Sequence, residues 1–261
     1  MDELILYDTN GYLVLHDFVD RRSIEVLRAA SNLHRAASTQ GMNATGVAIA
    51  EDGADVVRSV FAVHEDGAAF EAFMSLTTLG DAARQILADE VYIHQSRINY
   101  KPAFDGKGFA WHSDFETWHH EDAMPAMRAL SVVVFLSPNR ASNGPLMVIP
   151  GSHKVFVPCV GETPEDNHLR SLVKQEVGVP SRSVVASLER MHGIDVITGG
   201  PGTVVLFDAN MLHASCDNVS PLDRTNLFYV YNAVSNAPIE EASMKRPSYL
   251  AGREATSERA R

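Results

Sequence analysis

Val91-Tyr92-Ile93 and Ser96-Arg-Ile-Asn-Tyr100 open a series of short β-branched or aromatic-rich runs. The series continues through Ala129 to Leu136, Leu146 to Ile149, Gly202 to Asp208 and Asn226 to Tyr231. Turn clusters at 102–108, 137–145 and Gly199-Gly200-Pro201-Gly202 separate the runs. Many short strands divided by such turns predict an antiparallel double-sheet jelly roll, a double-stranded β-helix of the cupin type. Upstream the period lengthens. Asp20 opens a helix in which Ile24, Val26, Leu27 and Ala30 recur at helical spacing, and Phe70, Phe73, Leu76 and Leu79 predict helix between Asp66 and Leu87. Residues 4–18 read as a short apolar start, a turn at Asn10-Gly11 and a strand from Tyr12 to Leu15, while Gly, Asn, Thr and Ala make 38–55 a loop. The expectation is an α+β fold, mainly β, with N-terminal helices packed on one sheet. It is one domain over residues 1–261: a helical layer at 18–90, a roll at 91–235 and a polar tail, loop or disorder, at 236–261. The mixed segment Val160 to Thr198 predicts an active-site lid with a short helix around Asp166 to Val173.

Composition excludes several classes. A formal net charge of -11 argues against undirected attraction to nucleic acid or an anionic membrane. The apolar runs are strand-sized, too short to span a bilayer. Met1-Asp2-Glu3 lacks a basic n-region, so no secretory signal is expected. Cys159 and Cys216 read as reduced, buried thiols in a cytoplasmic protein.

The chemistry concentrates at Trp111-His112-Ser113-Asp114, answered by His213 and then Arg224. On one strand, His112 and Asp114 would point to the same face, because strand side chains alternate. His213 follows the apolar run ending at Asp208 and can come from a neighbouring strand. Two imidazoles and one carboxylate form the facial set that leaves positions open on Fe(II). Arg224, eleven residues beyond His213, offers a planar fork for the carboxylate of a keto-acid cosubstrate. Such a site takes a 2-oxo acid and O2 together and hydroxylates an unactivated C–H. A carboxylate at 114, where a smaller residue would admit a halide, favours hydroxylation over halogenation.

From Phe109 to Trp118 (FAWHSDFETW), and on through Glu121-Asp122 and Met127 to Ser131, the chain resembles the ectoine hydroxylases. These belong to the phytanoyl-CoA dioxygenase-like group of iron and 2-oxoglutarate enzymes. The likeness extends to Arg58–Phe61, Gln95–Lys101, Asn143–Met147, Ile149–His153, Thr163–Asn167 and Arg224–Asn232, covering roughly 55–235. It implies His112, Asp114 and His213 as iron ligands, and Lys101, Phe109, Ser131, Ser215 and Arg224 around 2-oxoglutarate. For the substrate it implies Gln95, Thr117, Trp118 and Phe228, with Phe61, Arg97 and Pro164. The implied reaction turns ectoine into 5-hydroxyectoine, a compatible solute of stress protection, releasing succinate and CO2; the implied assembly is a homodimer. Ectoine joins an amidinium to a carboxylate, so aromatic faces at Trp118 and Phe228 suit its cation. Gln95 and Arg97, two apart on a strand, suit its carboxylate.

The chain departs from the family at Ala103 and Ala123, the latter in place of a usual Gly, and adds His120 beside His119. It starts almost at the Tyr12 strand, so a shortened N-terminal region is expected. Two other readings stand beside the first: a hydroxylase of another small cyclic amino acid or natural-product intermediate, and a non-catalytic metal-binding jelly roll. The last would leave Arg224 and Lys101 as buried cations without a ligand.

Overall fold

The computed structural model describes residues 2–39, 47–50, 56–65, 67–159, 179–238 and 246–252. Eleven strands among them form two antiparallel sheets: β1 (Tyr12–Leu15), β2 (Val47–Ala50), β3 (Val57–Phe61), β4 (Val91–Lys101), β5 (Phe109–His112), β6 (Ala129–Phe135), β7 (Leu146–Val148), β8 (Asp195–Ile197), β9 (Val204–Asp208), β10 (His213–Ser215) and β11 (Arg224–Ala233). The larger sheet runs β1-β9-β6-β11-β4-β3-β2 and the smaller β5-β10-β7-β8. This is the jelly roll that the run of short strands predicts.

The apolar run of β6 explains the layering. Val132 and Val134 join a core with Leu27, Phe70, Leu79 and Tyr229 on the helical side. Val133 and Phe135 join Leu146, Val148, Phe207 and Phe228 between the sheets. A strand covered on both faces reads as continuously hydrophobic, and every residue of β6 is buried. The helical layer comprises α1 (Asp2–Asn10), α2 (Arg21–Thr39), α3 (Ala68–Leu76) and α4 (Leu79–Leu87). Asp20 caps α2, accepting from the Ser23 amide at 3.0 Å, and Ile24 and Leu27 turn inward. No described helix is long and apolar enough to cross a membrane.

Several expectations are corrected. The short apolar start is the helix α1, ending where Gly11 takes φ 81. The stretch 38–55 contains β2, whose four residues pair with β3 and extend the larger sheet past β4. The helix expected from Asp66 to Leu87 is two, because extended Thr77 breaks it before Thr78 starts α4. The short helix expected at 166–173 lies outside the described residues, whereas α6 (Arg182–His192), capped by Ser181, falls later in that segment. The tail is not merely polar: within 246–252, Leu250 and Ala251 are fully buried against the roll.

Candidate active site

His112 ends β5 and His213 begins β10; the two face each other in register, with ring centroids 4.2 Å apart. Asp114 is not on the strand. Ser113 is still extended, φ -113 and ψ 129, so His112 and Asp114 project alike, but Asp114 already starts α5 (Asp114–Asp122). Ser113 caps that helix by accepting from the Glu116 amide at 3.3 Å. The sequence carried the signal in Ser-x-x-Glu at 113–116, a capping box overlooked beside the His-x-Asp spacing. The helix has a purpose here: three and four residues on from Asp114 it brings Thr117 and Trp118 into the same cleft.

Each imidazole is turned by its own backbone. His112 Nδ1 lies 2.7 Å from the Ala110 carbonyl and His213 Nδ1 lies 3.0 Å from the Met211 carbonyl. Donation there leaves both Nε2 atoms as bases facing Asp114, at 3.7 Å from Oδ1 and 3.8 Å from Oδ2 respectively. The three ligand atoms all lie within 4.8 Å of one another. Burial, then His213, depresses His112 to about 4, so it is a neutral donor at working pH. Burial alone would raise the Asp114 carboxyl, but His213, Arg97 and His112 hold it below the usual carboxylate range. Asp114 Oδ2 is buried with no hydrogen-bond partner among the described residues. An orphaned carboxylate oxygen between two imidazole lone pairs fits a divalent cation, and the nitrogen–oxygen donor set without thiolate fits Fe(II).

One end of the cleft is strongly basic. Arg224 and Lys101 face each other across β11 and β4. Lys101 Nζ donates to Ser215 Oγ at 2.8 Å and to the Cys216 carbonyl, while Arg224 donates to the Gly144 carbonyl at 2.9 Å. Residue 144 must be glycine: a Cβ there would sit 2.8 Å from Lys101 Nζ, and φ is 73. Arg58 lies over the Phe109 ring at 3.9 Å. Burial, then Arg224 and Arg58, lowers Lys101 to about 6; burial, then Arg58, lowers Arg224 to about 9. Cations crowded this way suit an anionic ligand.

At the other end Gln95, Arg97, Phe61, Thr117, Trp118 and Phe228 line the wall. Arg97 Nη1 donates to Gln95 Oε1 at 2.8 Å, and its guanidinium covers the Phe228 ring at 4.8 Å. One face of Phe228 therefore meets a protein cation. Lys101 reaches the site through Ser215 rather than lining it. Ser131 does not line the cleft either; it is buried in β6, its Oγ without a hydrogen-bond partner among the described residues. Pro164 lies outside the described residues. Sequence reasoning missed Arg58, Glu121, Asn226, Arg246 and Leu250 as cleft residues. Arg246 and Leu250 sit in a stretch whose composition reads only as polar tail.

Residues 7–226 match the phytanoyl-CoA dioxygenase family. The ectoine dioxygenase of Sphingopyxis alaskensis is 48% identical over 242 residues, which cover 92% of this chain and 78% of the relative. The chain belongs to the phytanoyl-CoA dioxygenase family. The crystal structure of EctD from S. alaskensis with 2-oxoglutarate and 5-hydroxyectoine superposes with a TM-score of 0.84 at 42% identity, covering 97% of this chain and 83% of that one. The same protein with bound Fe gives a TM-score of 0.82 at 40% identity, covering the same 97% and 83%.

Proposed function

We propose that this protein hydroxylates ectoine to 5-hydroxyectoine, consuming 2-oxoglutarate and O2 and releasing succinate and CO2. The observation carrying this reading is one cleft that holds an N,N,O triad between a buried cationic end and an aromatic, amide-lined end. The related structure bound to 2-oxoglutarate and 5-hydroxyectoine, a cosubstrate and a product of this reaction, supports it.

His112, Asp114 and His213 would hold the iron, with both imidazoles fixed as Nε2 donors by their backbone contacts. The metal, when bound, supplies activation of dioxygen for insertion into a C–H bond. Arg224 receives the distal carboxylate of 2-oxoglutarate in its planar fork, with Lys101 and Ser215 beside it. A bound dicarboxylate relieves the burial of Arg224 and favours a proton on Lys101, so the basic side chains crowded in the empty pocket select a dianion. Gln95, Thr117 and Trp118 orient the ring at the opposite end. Cys159 is half-buried and Cys216 exposed, not buried as expected, but both are free thiols, which fits a reducing cytoplasmic setting.

The test is succinate release by the iron-loaded protein, given 2-oxoglutarate and oxygen, with and without ectoine. Ectoine should stimulate it and appear as 5-hydroxyectoine in equal amount. Stimulation by a different cyclic amino acid, with none by ectoine, overturns the substrate; no turnover with any leaves a metal-binding roll.

A further inference from the structure

His94 interrupts β4. Val230 of β11 pairs with Gln95 and Tyr231 with Ile93, so His94 is the extra residue of a β-bulge. Ile93 packs toward the helical core while Gln95 lines the cleft, and the bulge is where the strand changes face. Bulges of this kind re-aim side chains beside active sites. The imidazole is fully buried, and its ring meets Trp118 edge-on at 5.0 Å. Its Nδ1 lies 3.2 Å from the Gly252 carbonyl, and its Nε2 lies 3.9 Å from Asp122 Oδ2.

The same neighbourhood anchors 246–252. The Gly252 amide donates to the His94 carbonyl at 2.6 Å, and Gln95 Nε2 donates to the Leu250 carbonyl at 2.7 Å. Arg246 grips both carboxylate oxygens of Asp122 and also meets Glu121 at 3.1 Å. Arg246 and Leu250 line the same cleft as Trp118. One side chain thus meets the aromatic wall and the Gly252 carbonyl and stands 3.9 Å from the carboxylate that holds Arg246. Replacing it by an apolar ring would leave the Gly252 carbonyl short of a partner and Asp122 with less company.

We infer that His94 is a positioning residue of the substrate end, fastening 246–252 as a clasp and fixing the edge against which Trp118 stands. The inference rests on the substrate reading above only for its kinetic arm. It assigns no contact between His94 and a ligand. Loosening it should therefore impair the ring's binding and spare the cosubstrate, whose residues lie at the other end, and the metal, whose ligands stand between the two ends.

The experiment pairs steady-state kinetics with hydrogen exchange on the iron-loaded protein and on His94→Phe, with His94→Asn retaining a donor toward Gly252. His94→Phe should raise the KM for ectoine about tenfold, with the KM for 2-oxoglutarate and the iron content within about twofold. Exchange across 246–252 should accelerate about tenfold while α2 stays unchanged, and His94→Asn should recover part of both effects. Unchanged exchange overturns the clasp; both KM values rising together overturns the positioning role. If His94→Phe does not fold, Asp122→Asn, which weakens the hold on Arg246, carries the same comparison. If the unaltered protein ignores ectoine, the substrate reading fails, and the exchange result still decides the clasp.

Discussion

Arg224 and Lys101 show why a buried cation needs a reason. Both are buried, and among the described residues the acceptors that hold them are carbonyl and hydroxyl oxygens rather than carboxylates. Arg224→Lys should weaken 2-oxoglutarate use about tenfold to hundredfold, since an ammonium cannot present two parallel donors; the KM for 2-oxoglutarate checks it. Lys101→Met should do the same while making the cosubstrate-free protein more stable. The sign follows from protons. Lys101 is neutral in the fold above about 6, whereas unfolded it stays charged to its ordinary pKa of 10.5. The unfolded chain therefore binds the extra proton between those values, and stability from this group rises with pH across that window. The advantage of Lys101→Met, read as a difference in melting temperature, should be largest near pH 6 and fade toward pH 10. Trp118→Ala should raise the ectoine requirement with iron content unchanged; equal losses in both would make Trp118 a packing residue.

At the scale of elements, α5 is the part of the site that the sequence signals most faintly. His-x-Asp spacing is legible because alternation along extended chain is a fixed geometry, and Ser113 keeps that geometry up to the ligand. The helix that follows was hidden by a weakly amphipathic sequence, in which Thr117, His119 and His120 give no clear apolar stripe. Only the cap at Ser113 and Glu116 announces it. Ser113→Ala should cost about 1 kcal/mol of stability and lower iron affinity, because the same turn carries Asp114; thermal melts and metal titration check the two effects. At the other end Ala123 takes φ 57 as the left-handed cap of α5. Ala123→Gly, which removes the Cβ from a left-handed position, should stabilise the protein by about 0.5–1 kcal/mol, measurable by denaturant titration. The strand β2 and the clasp at 246–252 stayed illegible for a different reason. A four-residue strand and an irregular stretch such as 246–252 have no period, and their burial is set by distant partners such as β3, Gln95 and His94.

The whole molecule brings two stretches that are far apart in sequence, 101–114 and 213–224, to one cleft. The sheet pairing of β5 with β10 sets His112 against His213, the capped turn adds Asp114, and pairing of β4 with β11 places Lys101 beside Arg224. The roll itself was legible because alternating short strands and turn clusters are local signals. The division of its two faces between helices and second sheet was legible only in the continuous apolar run of β6. The most direct test is the iron content of the anaerobically loaded protein and of its Asp114→Ala and His213→Ala variants. One Fe(II) per chain in the parent, lost together with 2-oxoglutarate turnover in both variants, is the expected result. Full iron retention and turnover in either variant would contradict the three-residue centre on which the function rests.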